Sequence, residues 1–260
     1  MPPPLPPENQ YGHTKKLGFL IDEIARHRAR LGRPVTVLDF GCGNGSAVSQ
    51  YLMGEGVHYF GVDIHPSSLD HARTHFGGPN VEFREQVPGY VQFDVIVYAD
   101  VLEHLLDPVD VMRTHRAQLA TDGIVIGAVP NGYGPFEIEQ RLDRWLRLSR
   151  LLAWVSGIAR RLRGRTPSEA ERALPYNYDS GHVVFFTRRS LARTVTDAGF
   201  EIQRFGHGAF MGASISGVLL GRSSRLLRWN VQIADRLPYW AVSTWYFTLR
   251  QRDAGSWSER

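Results

Sequence analysis

Short apolar runs alternate along the first half of the chain with longer segments in which apolar positions recur at helical spacing. Because strands buried on both faces are apolar nearly throughout, the runs predict parallel strands joined by covering helices. A β-α unit repeated five times predicts a right-handed, doubly wound α/β sheet. The predicted strands are Val35–Asp39, His58–Val62, Val81–Arg84, Phe93–Ala99 and Ile124–Val129, with a sixth, parallel strand at Phe200–Phe205.

A glycine-rich turn follows the first predicted strand. The sequence Asp39-Phe40-Gly41-Cys42-Gly43-Asn44-Gly45 has glycines at alternate positions, where the missing side chains let a backbone pass close to a ligand and permit positive φ. A helix that begins near Asn44 or Ser46 would direct free amide groups at that ligand. The spacing differs from the dinucleotide fingerprint G-x-G-x-x-G/A, because Ser46 occupies its third position.

The second predicted strand ends at Asp63, and an acid in this position can accept hydrogen bonds from both hydroxyls of an adenosine ribose. The glycine loop and Asp63 together resemble the class I S-adenosylmethionine (SAM)-dependent methyltransferases. The resemblance implies a Rossmann-like, seven-stranded sheet with six parallel strands and an antiparallel last strand, at Trp240–Leu249 here. It also implies SAM as the cofactor and S-adenosylhomocysteine (SAH) as the product.

The resemblance further implies a set of cofactor contacts in this chain. The glycines would cradle the methionine and ribose portion, and Asp63 would bind the ribose diol. Ile64 would lie against the adenine, with an ordinary core position as the alternative, and Ala99 with Asp100 would flank the sulfonium. The full implied set is Asp39, Gly41, Cys42, Gly43, Gly45, Asp63, Ile64, Ala99 and Asp100.

Three polar residues follow the fourth predicted strand. Asp100, Glu103 and His104 stand at i, i+3 and i+4, so on a helix they would share one face. The Glu-His pair and the later Asp107-Pro108 resemble the family's motif after this strand. The trio could hold Mg²⁺ or a similar divalent metal, or Asp100 and Glu103 could form a capping box. We predict the capping box and no metal, and we predict His104 at the acceptor mouth, where the resemblance implies it.

Residues 136-180 form an insertion relative to this core. Between Arg141 and Arg165 it holds eight arginines around an apolar stripe that includes Trp154. Such a pattern fits a peripheral contact with an anionic membrane, or a basic cover over a charged acceptor. The alternative is a lid packed on its own domain with solvated arginines. We predict a helical, arginine-rich lid.

A histidine-containing segment follows the insertion. His182 precedes the run Val183-Val184-Phe185-Phe186-Thr187, which resembles a segment in the branch of small-molecule, quinone and sugar O-methyltransferases. In that branch the histidine borders the acceptor pocket. Because the imidazole pKa lies near neutrality, the group suits proton removal from a hydroxyl. We predict His182 as the general base, with Asp179 orienting it or acting itself, and a structural histidine as the alternative.

Composition narrows the class of protein. The 260 residues are 43% hydrophobic and 22% charged, which is typical of a globular domain and excludes a disordered chain. Cys42 is the single cysteine, so a disulfide framework is excluded and a reducing cytoplasm is expected. We predict one domain over 1-260 with a flexible proline-rich tail at 1-10, and a cytoplasmic protein, with the membrane contact through 141-165 as an addition.

These observations predict methyl transfer from SAM to an oxygen of a small-molecule or glycan-type acceptor. The net charge of +4 is modest, and the Asn/Asp-Pro-Pro-Tyr/Phe run of DNA-base N-methyltransferases is missing after the fourth strand, so a nucleic-acid acceptor is not favoured. The alternatives are an RNA or protein methyltransferase and a SAM-binding scaffold without catalysis. The sequence leaves the oligomeric state open.

Overall fold

The computed structural model describes residues 2–146 and 181–252. Within these residues one sheet is covered by helices on both faces. The strands are β1 (Val35–Phe40), β2 (Val57–Val62), β3 (Val81–Arg84), β4 (Phe93–Ala99), β5 (Leu119–Pro130), β6 (Phe200–His207) and β7 (Thr244–Gln251). The helices are α1 (His13–Leu31), α2 (Ser49–Leu52), α3 (Pro66–Phe76), α4 (Pro108–Arg116), α5 (Pro135–Leu146), α6 (Arg188–Asp197), α7 (Ser214–Leu220) and α8 (Ser224–Ala234), with 3₁₀ turns at Leu102–His104 and Tyr239–Ala241.

The strand order is β3-β2-β1-β4-β5-β7-β6. The pairs from β3 to β5 are parallel, whereas β7 is antiparallel to both β5 and β6. Strand β6 therefore runs in the same direction as β1 to β5. The predicted sheet of six parallel strands and an antiparallel last strand is confirmed. The chain reverses its winding direction between β1 and β4, which is where open α/β sheets bind ligands.

Alternating side chains of the central strands supply two cores. Val35 and Val37 of β1 pack with α1 and α3 on one face, while Leu38 packs with α4 and α6 on the other. Since successive side chains point to opposite faces of a strand, an unbroken apolar run is what a doubly covered sheet requires. Helix α1, which precedes the first strand, buries Leu17, Leu20 and Ile24.

The helix predicted to begin near Asn44 or Ser46 begins later. Residues 44–48 are turns, and α2 comprises only Ser49–Leu52. The Asn44 side chain accepts a hydrogen bond from the Ser46 amide at 3.0 Å, and Gly45 has φ +80°. Both features favour a turn over helical backbone, so the glycine loop is longer than predicted.

The structure describes part of the predicted lid and most of the proline-rich tail. Residues 135–146 of the lid region are helical, as α5, and positions 147-180, with most of the arginine-rich stretch, lie outside the described residues. At the end of the proline-rich tail, Thr14 Oγ1 donates to the Pro6 carbonyl at 2.8 Å, so the tail from Pro6 onwards contacts α1. No helix in the described ranges has the length and apolarity needed to cross a bilayer.

Candidate active site

A cavity of about 1130 Å³ opens at the carboxyl ends of β1, β2 and β4. Its floor is the glycine loop, and its walls come from the segment before α1, the turn after β4, and residues near 209–211 and 243–246. The cavity is large enough for a nucleoside-sized cofactor together with a small second molecule. Its position matches the point where the winding of the sheet reverses.

The glycine loop is folded tightly against the end of β2. The Gly41 and Cys42 amides donate to the Val62 carbonyl at 2.7 and 3.0 Å. Gly41 has φ +78°, and a β-carbon there would come within 2.5 Å of Val101 Cγ2. Only glycine combines this backbone conformation with this close approach, which explains the residue at the first loop position.

Asp63 links the glycine loop to the turn that follows β2, beneath the cavity. Its Oδ2 accepts from the Gly43 amide at 2.8 Å, and its Oδ1 accepts from the His65 amide at 2.9 Å. Each carboxylate oxygen can accept a second hydrogen bond, so both retain capacity for a ligand hydroxyl.

Asp39 is oriented differently, towards the interior of the sheet. It is buried, and its Oδ2 accepts from Ser49 Oγ at 2.8 Å and from the Tyr59 hydroxyl at 2.5 Å. Desolvation raises the pKa of Asp39, and the two hydroxyl donors oppose that shift. These contacts make Asp39 a support for the loop as well as a lining residue.

Most of the residues predicted from the sequence meet in this cavity. Those that line it are Asp39, Gly41, Cys42, Gly43, Asp63, Ile64, Ala99, Asp100, His104 and His182. Ile64 is 79% exposed, so the alternative of an ordinary core position does not hold. Gly45 is not among the lining residues, since a β-carbon at Gly45 would meet Phe76 of α3 at 2.7 Å. Asp179 lies outside the described residues.

The capping box predicted for Asp100 and Glu103 is wrong. Asp100 has φ +57° and precedes a 3₁₀ turn that has no side-chain cap. Its carboxylate pairs with Lys16 of α1 instead. The backbone turns sharply after β4, so Asp100 does not share a helical face with Glu103 and His104. Lys16 is a lining residue that the sequence reasoning missed, because it lies far from this turn in sequence.

Glu103 is a buried carboxyl at the wall of the cavity. Its side chain is 1% exposed, and Oε2 has no hydrogen-bond partner among the described residues. Desolvation raises the pKa of Glu103 well above its usual value, and the nearby Asp100 adds to the shift. Burial therefore favours the protonated form of this carboxyl.

The residues that could hold a metal ion differ from the predicted trio of Asp100, Glu103 and His104. Ligand atoms of Glu103, His104 and His182 lie within 4.8 Å of one another, whereas Asp100 faces Lys16. Two imidazoles and one carboxyl are a donor set that suits a transition metal better than Mg²⁺. We still predict that the protein works without a metal ion at this site.

His182 has a buried carboxylate partner that was not anticipated. His182 Nδ1 lies 3.0 Å from Glu137 Oε1, and Glu137 is almost fully buried in the first turn of α5. The ring of His104 lies 5.2 Å from that of His182. Desolvation lowers the pKa of His104, and His182 lowers it further. Nothing in the spacing of the sequence links Glu137 to His182, because Glu137 lies at the start of the insertion and His182 follows its end.

The rest of the cavity wall is a mixture of apolar and amide groups. Tyr11 and Phe136 form an edge-to-face pair with ring centroids 6.1 Å apart, and Met211 lies in the same wall. Asn9 and Gln10 add polar groups from the segment before α1. This part of the cavity therefore offers aromatic, thioether and amide side chains, whereas the glycine loop offers mainly backbone.

Comparison with known proteins agrees with this geometry. The family model described as "Methyltransferase domain" matches residues 11–204. A ubiquinone biosynthesis O-methyltransferase of Actinobacillus pleuropneumoniae is 32% identical over 107 residues, which cover 36% of this chain and 45% of that protein. The enzyme of the same name from a Methylobacterium species is 30% identical over 129 residues, covering 45% and 51%. The chain thus spans about half the length of these curated relatives.

A solved structure shares the fold at low identity. The 1,6-didemethyltoxoflavin-N1-methyltransferase of Burkholderia thailandensis, with bound SAH, has a TM-score of 0.50 and 17% identity, over 89% of this chain and 77% of that one. Because the family model covers well over half of the chain, this protein belongs to the methyltransferase-domain family, as the glycine loop and Asp63 predicted, and its cofactor is SAM.

Proposed function

We propose that this protein transfers the methyl group of SAM to a hydroxyl oxygen of a small-molecule acceptor, with His182 as the general base. The observation that carries the proposal is that one cavity is lined both by the glycine loop with Asp63 and by His182. A bound cofactor and an acceptor would therefore share a single enclosed space.

Oxygen is favoured as the acceptor atom by two observations. The relatives at 32% and 30% identity are named O-methyltransferases. In addition, the wall opposite the glycine loop carries an imidazole with a carboxylate partner. A hydroxyl loses its proton as it is methylated, so it benefits from a nearby base.

The reaction asks the protein chiefly for positioning. SAM supplies an electrophilic methyl group on a sulfonium, and its C–S bond breaks with the electron pair going to sulfur as the acceptor oxygen forms the new C–O bond. Asp63 would hold the ribose hydroxyls, and the glycine loop lets the backbone pass close to them. His182 Nε2 takes the hydroxyl proton, and aligning the two reactants supplies much of the rate.

The cavity wall formed by Tyr11, Phe136 and Met211 favours an acceptor molecule that is partly apolar. Tyr11, Phe136 and Met211 offer aromatic and thioether surface, on which a planar or hydrocarbon portion can pack. A charged, glycan or lipid-linked acceptor stays a prediction from the arginine-rich stretch at 141-165.

The first experiment is calorimetric binding of SAH to the wild type, Asp63→Asn and Asp70→Asn. Asp70 is an exposed acid on α3 and serves as the matched control. We expect Asp63→Asn to weaken binding about tenfold to a hundredfold, because charge-assisted hydrogen bonds contribute about 1.5–3 kcal/mol. Wild-type protein that is folded but does not bind SAH would refute the proposed cofactor site.

The second experiment screens phenolic and aliphatic hydroxyl acceptors for SAH release. We expect His182→Ala to reduce turnover about a hundredfold or more at unchanged SAH affinity. The exposed His75→Ala on α3 is the control and should keep full turnover. Equal turnover by His182→Ala and the wild type would show that His182 is not the base.

A further inference from the structure

We propose that Glu137 is the residue that positions His182 for catalysis, by accepting a hydrogen bond from Nδ1–H so that Nε2 faces the acceptor. This inference rests on the proposed function, because it assigns a role within the same reaction. Asp179, which the sequence suggested for the role, is not needed for it.

The contact joins a buried carboxyl to a partly buried imidazole. Glu137 Oε1 and His182 Nδ1 are 3.0 Å apart, and the side chains are 5% and 27% exposed. Glu137 is absent from the cavity lining, while His182 is part of it. The carboxylate is thus behind the imidazole as seen from the cavity, which leaves the other ring nitrogen for the acceptor.

Each partner is held by its own backbone anchors. The helix that carries Glu137 is tied to the strand region before β7, because the Phe136 amide donates to Ser243 Oγ at 3.1 Å. On the other side, the Val183 and Val184 amides donate to the Glu103 carbonyl at 2.8 and 2.9 Å. The distance between the carboxylate and the imidazole is therefore determined by the fold rather than by a mobile surface pair.

The chemistry follows from this arrangement. A carboxylate that accepts from Nδ1–H selects the tautomer with a free Nε2 lone pair, and it stabilises the imidazolium that forms when Nε2 takes a proton. The groups around His182 are His104, Phe185, Glu103 and Glu137. Among the described residues, Glu137 is the carboxyl group within hydrogen-bond distance of the His182 ring, with Oε1 3.0 Å from Nδ1.

A second glutamate on the same helix provides a matched control. Glu139 Oε1 accepts from the Ile215 and Ser216 amides at 2.6 and 2.7 Å, at the first turn of α7. It performs a structural role two residues away from Glu137. A loss that arises only from disturbing α5 should therefore appear in Glu139→Gln as well.

The test measures the pH profile of kcat/KM for Glu137→Gln, Glu139→Gln and His182→Ala. We expect Glu137→Gln to lower kcat/KM about tenfold to a hundredfold, with SAH affinity unchanged. Loss of the carboxylate also destabilises the imidazolium, so the acid limb of the profile should move to lower pH. The double variant Glu137→Gln/His182→Ala should be no slower than His182→Ala alone, and Glu139→Gln should keep the wild-type profile.

The outcomes separate this inference from the proposed function. Full activity in His182→Ala would refute the proposed base itself. Loss of activity in His182→Ala together with a wild-type rate and pH profile in Glu137→Gln would overturn only the role of Glu137. A measurement on the unaltered protein avoids folding artefacts: nitrogen NMR of His182 should show a protonated Nδ1 and an unprotonated Nε2, and the opposite tautomer would also overturn the inference.

Discussion

At the scale of single residues, two buried carboxyls at the cavity illustrate how environment decides chemistry. Asp39 receives hydrogen bonds from Ser49 and Tyr59, whereas Glu103 Oε2 finds no partner in the part of the chain that the structure describes. Desolvation raises the pKa of both. The difference is that the hydroxyl donors stabilise charge on Asp39, while Asp100 further disfavours charge on Glu103.

We predict that Glu103→Gln makes the protein more stable, and by more as pH rises. With a raised pKa, the folded state keeps a proton that the unfolded state loses above the usual glutamate pKa of 4.5. The free energy of unfolding of the wild type therefore falls as the pH rises above 4.5, by about 1.4 kcal/mol per pH unit at most. Urea unfolding at several pH values would measure the difference, with Glu55→Gln, an exposed site, as the control. Parallel pH dependences of Glu103→Gln and the wild type would contradict the prediction.

At the scale of elements, the glycine loop is held in place because its backbone amides are hydrogen-bonded within the protein. Gly43 bonds to Asp63, and Gly41 bonds to the end of β2. The positive φ values that this requires also delay the following helix to Ser49. The loop is thus built from turns that its own hydrogen bonds hold, rather than from a regular helix start.

We predict that Gly41→Ala weakens SAH binding about tenfold or more. A left-handed conformation costs a residue with a side chain about 1–2 kcal/mol, and the new β-carbon would come within 2.5 Å of Val101. Gly18 of α1 has ordinary helical φ and open space around it, so Gly18→Ala should keep SAH affinity and raise stability by about 0.5–1 kcal/mol. Calorimetry and urea unfolding measure the two effects. Wild-type affinity in Gly41→Ala would show that the loop can relax.

At the scale of the whole molecule, the two ends of the described chain meet at the cavity. The Tyr246 hydroxyl donates to the Gly12 carbonyl at 3.2 Å, and Lys15 Nζ pairs with Asp235 at 2.7 Å. Asn230 is fully buried and donates to the carbonyls of Gln10 and Met211. The segment before α1 is therefore held as a cavity wall by residues more than two hundred positions away.

We predict that Asn230→Ala both destabilises the fold and weakens SAH binding. It leaves the carbonyls of Gln10 and Met211, and the Met211 amide that donates to Asn230 Oδ1, without their partner, at a cost of about 2–3 kcal/mol. Gln232 lies exposed on the same helix, and Gln232→Ala should change neither property. Thermal unfolding with and without SAH would measure both effects. An Asn230→Ala protein with wild-type SAH affinity would show that the wall does not depend on this anchor.

The sheet and the cofactor half of the cavity could be predicted from the sequence because their signals are local. Val35, Val37 and Leu38 reveal a doubly buried strand by their spacing, and Asp39 to Gly45 reveal the turn by glycine positions alone. Strand ends also converge in a parallel sheet, so Asp63 and Asp100 could be assigned to the same edge. Local chain geometry was sufficient for these features.

The pairing of side chains across the cavity was decided only by the tertiary structure. Asp100 was expected to face Glu103 and instead pairs with Lys16. The prediction that Asp179 orients His182 or acts itself lies outside the described residues, within which Glu137 is the partner of His182. These partners lie on different elements, and no periodicity relates them. Burial likewise sets the pKa of Glu103, because desolvation depends on every element packed around the group. Sequence therefore determined which strands and loops form, and three-dimensional packing determined which charges meet and which protons they hold.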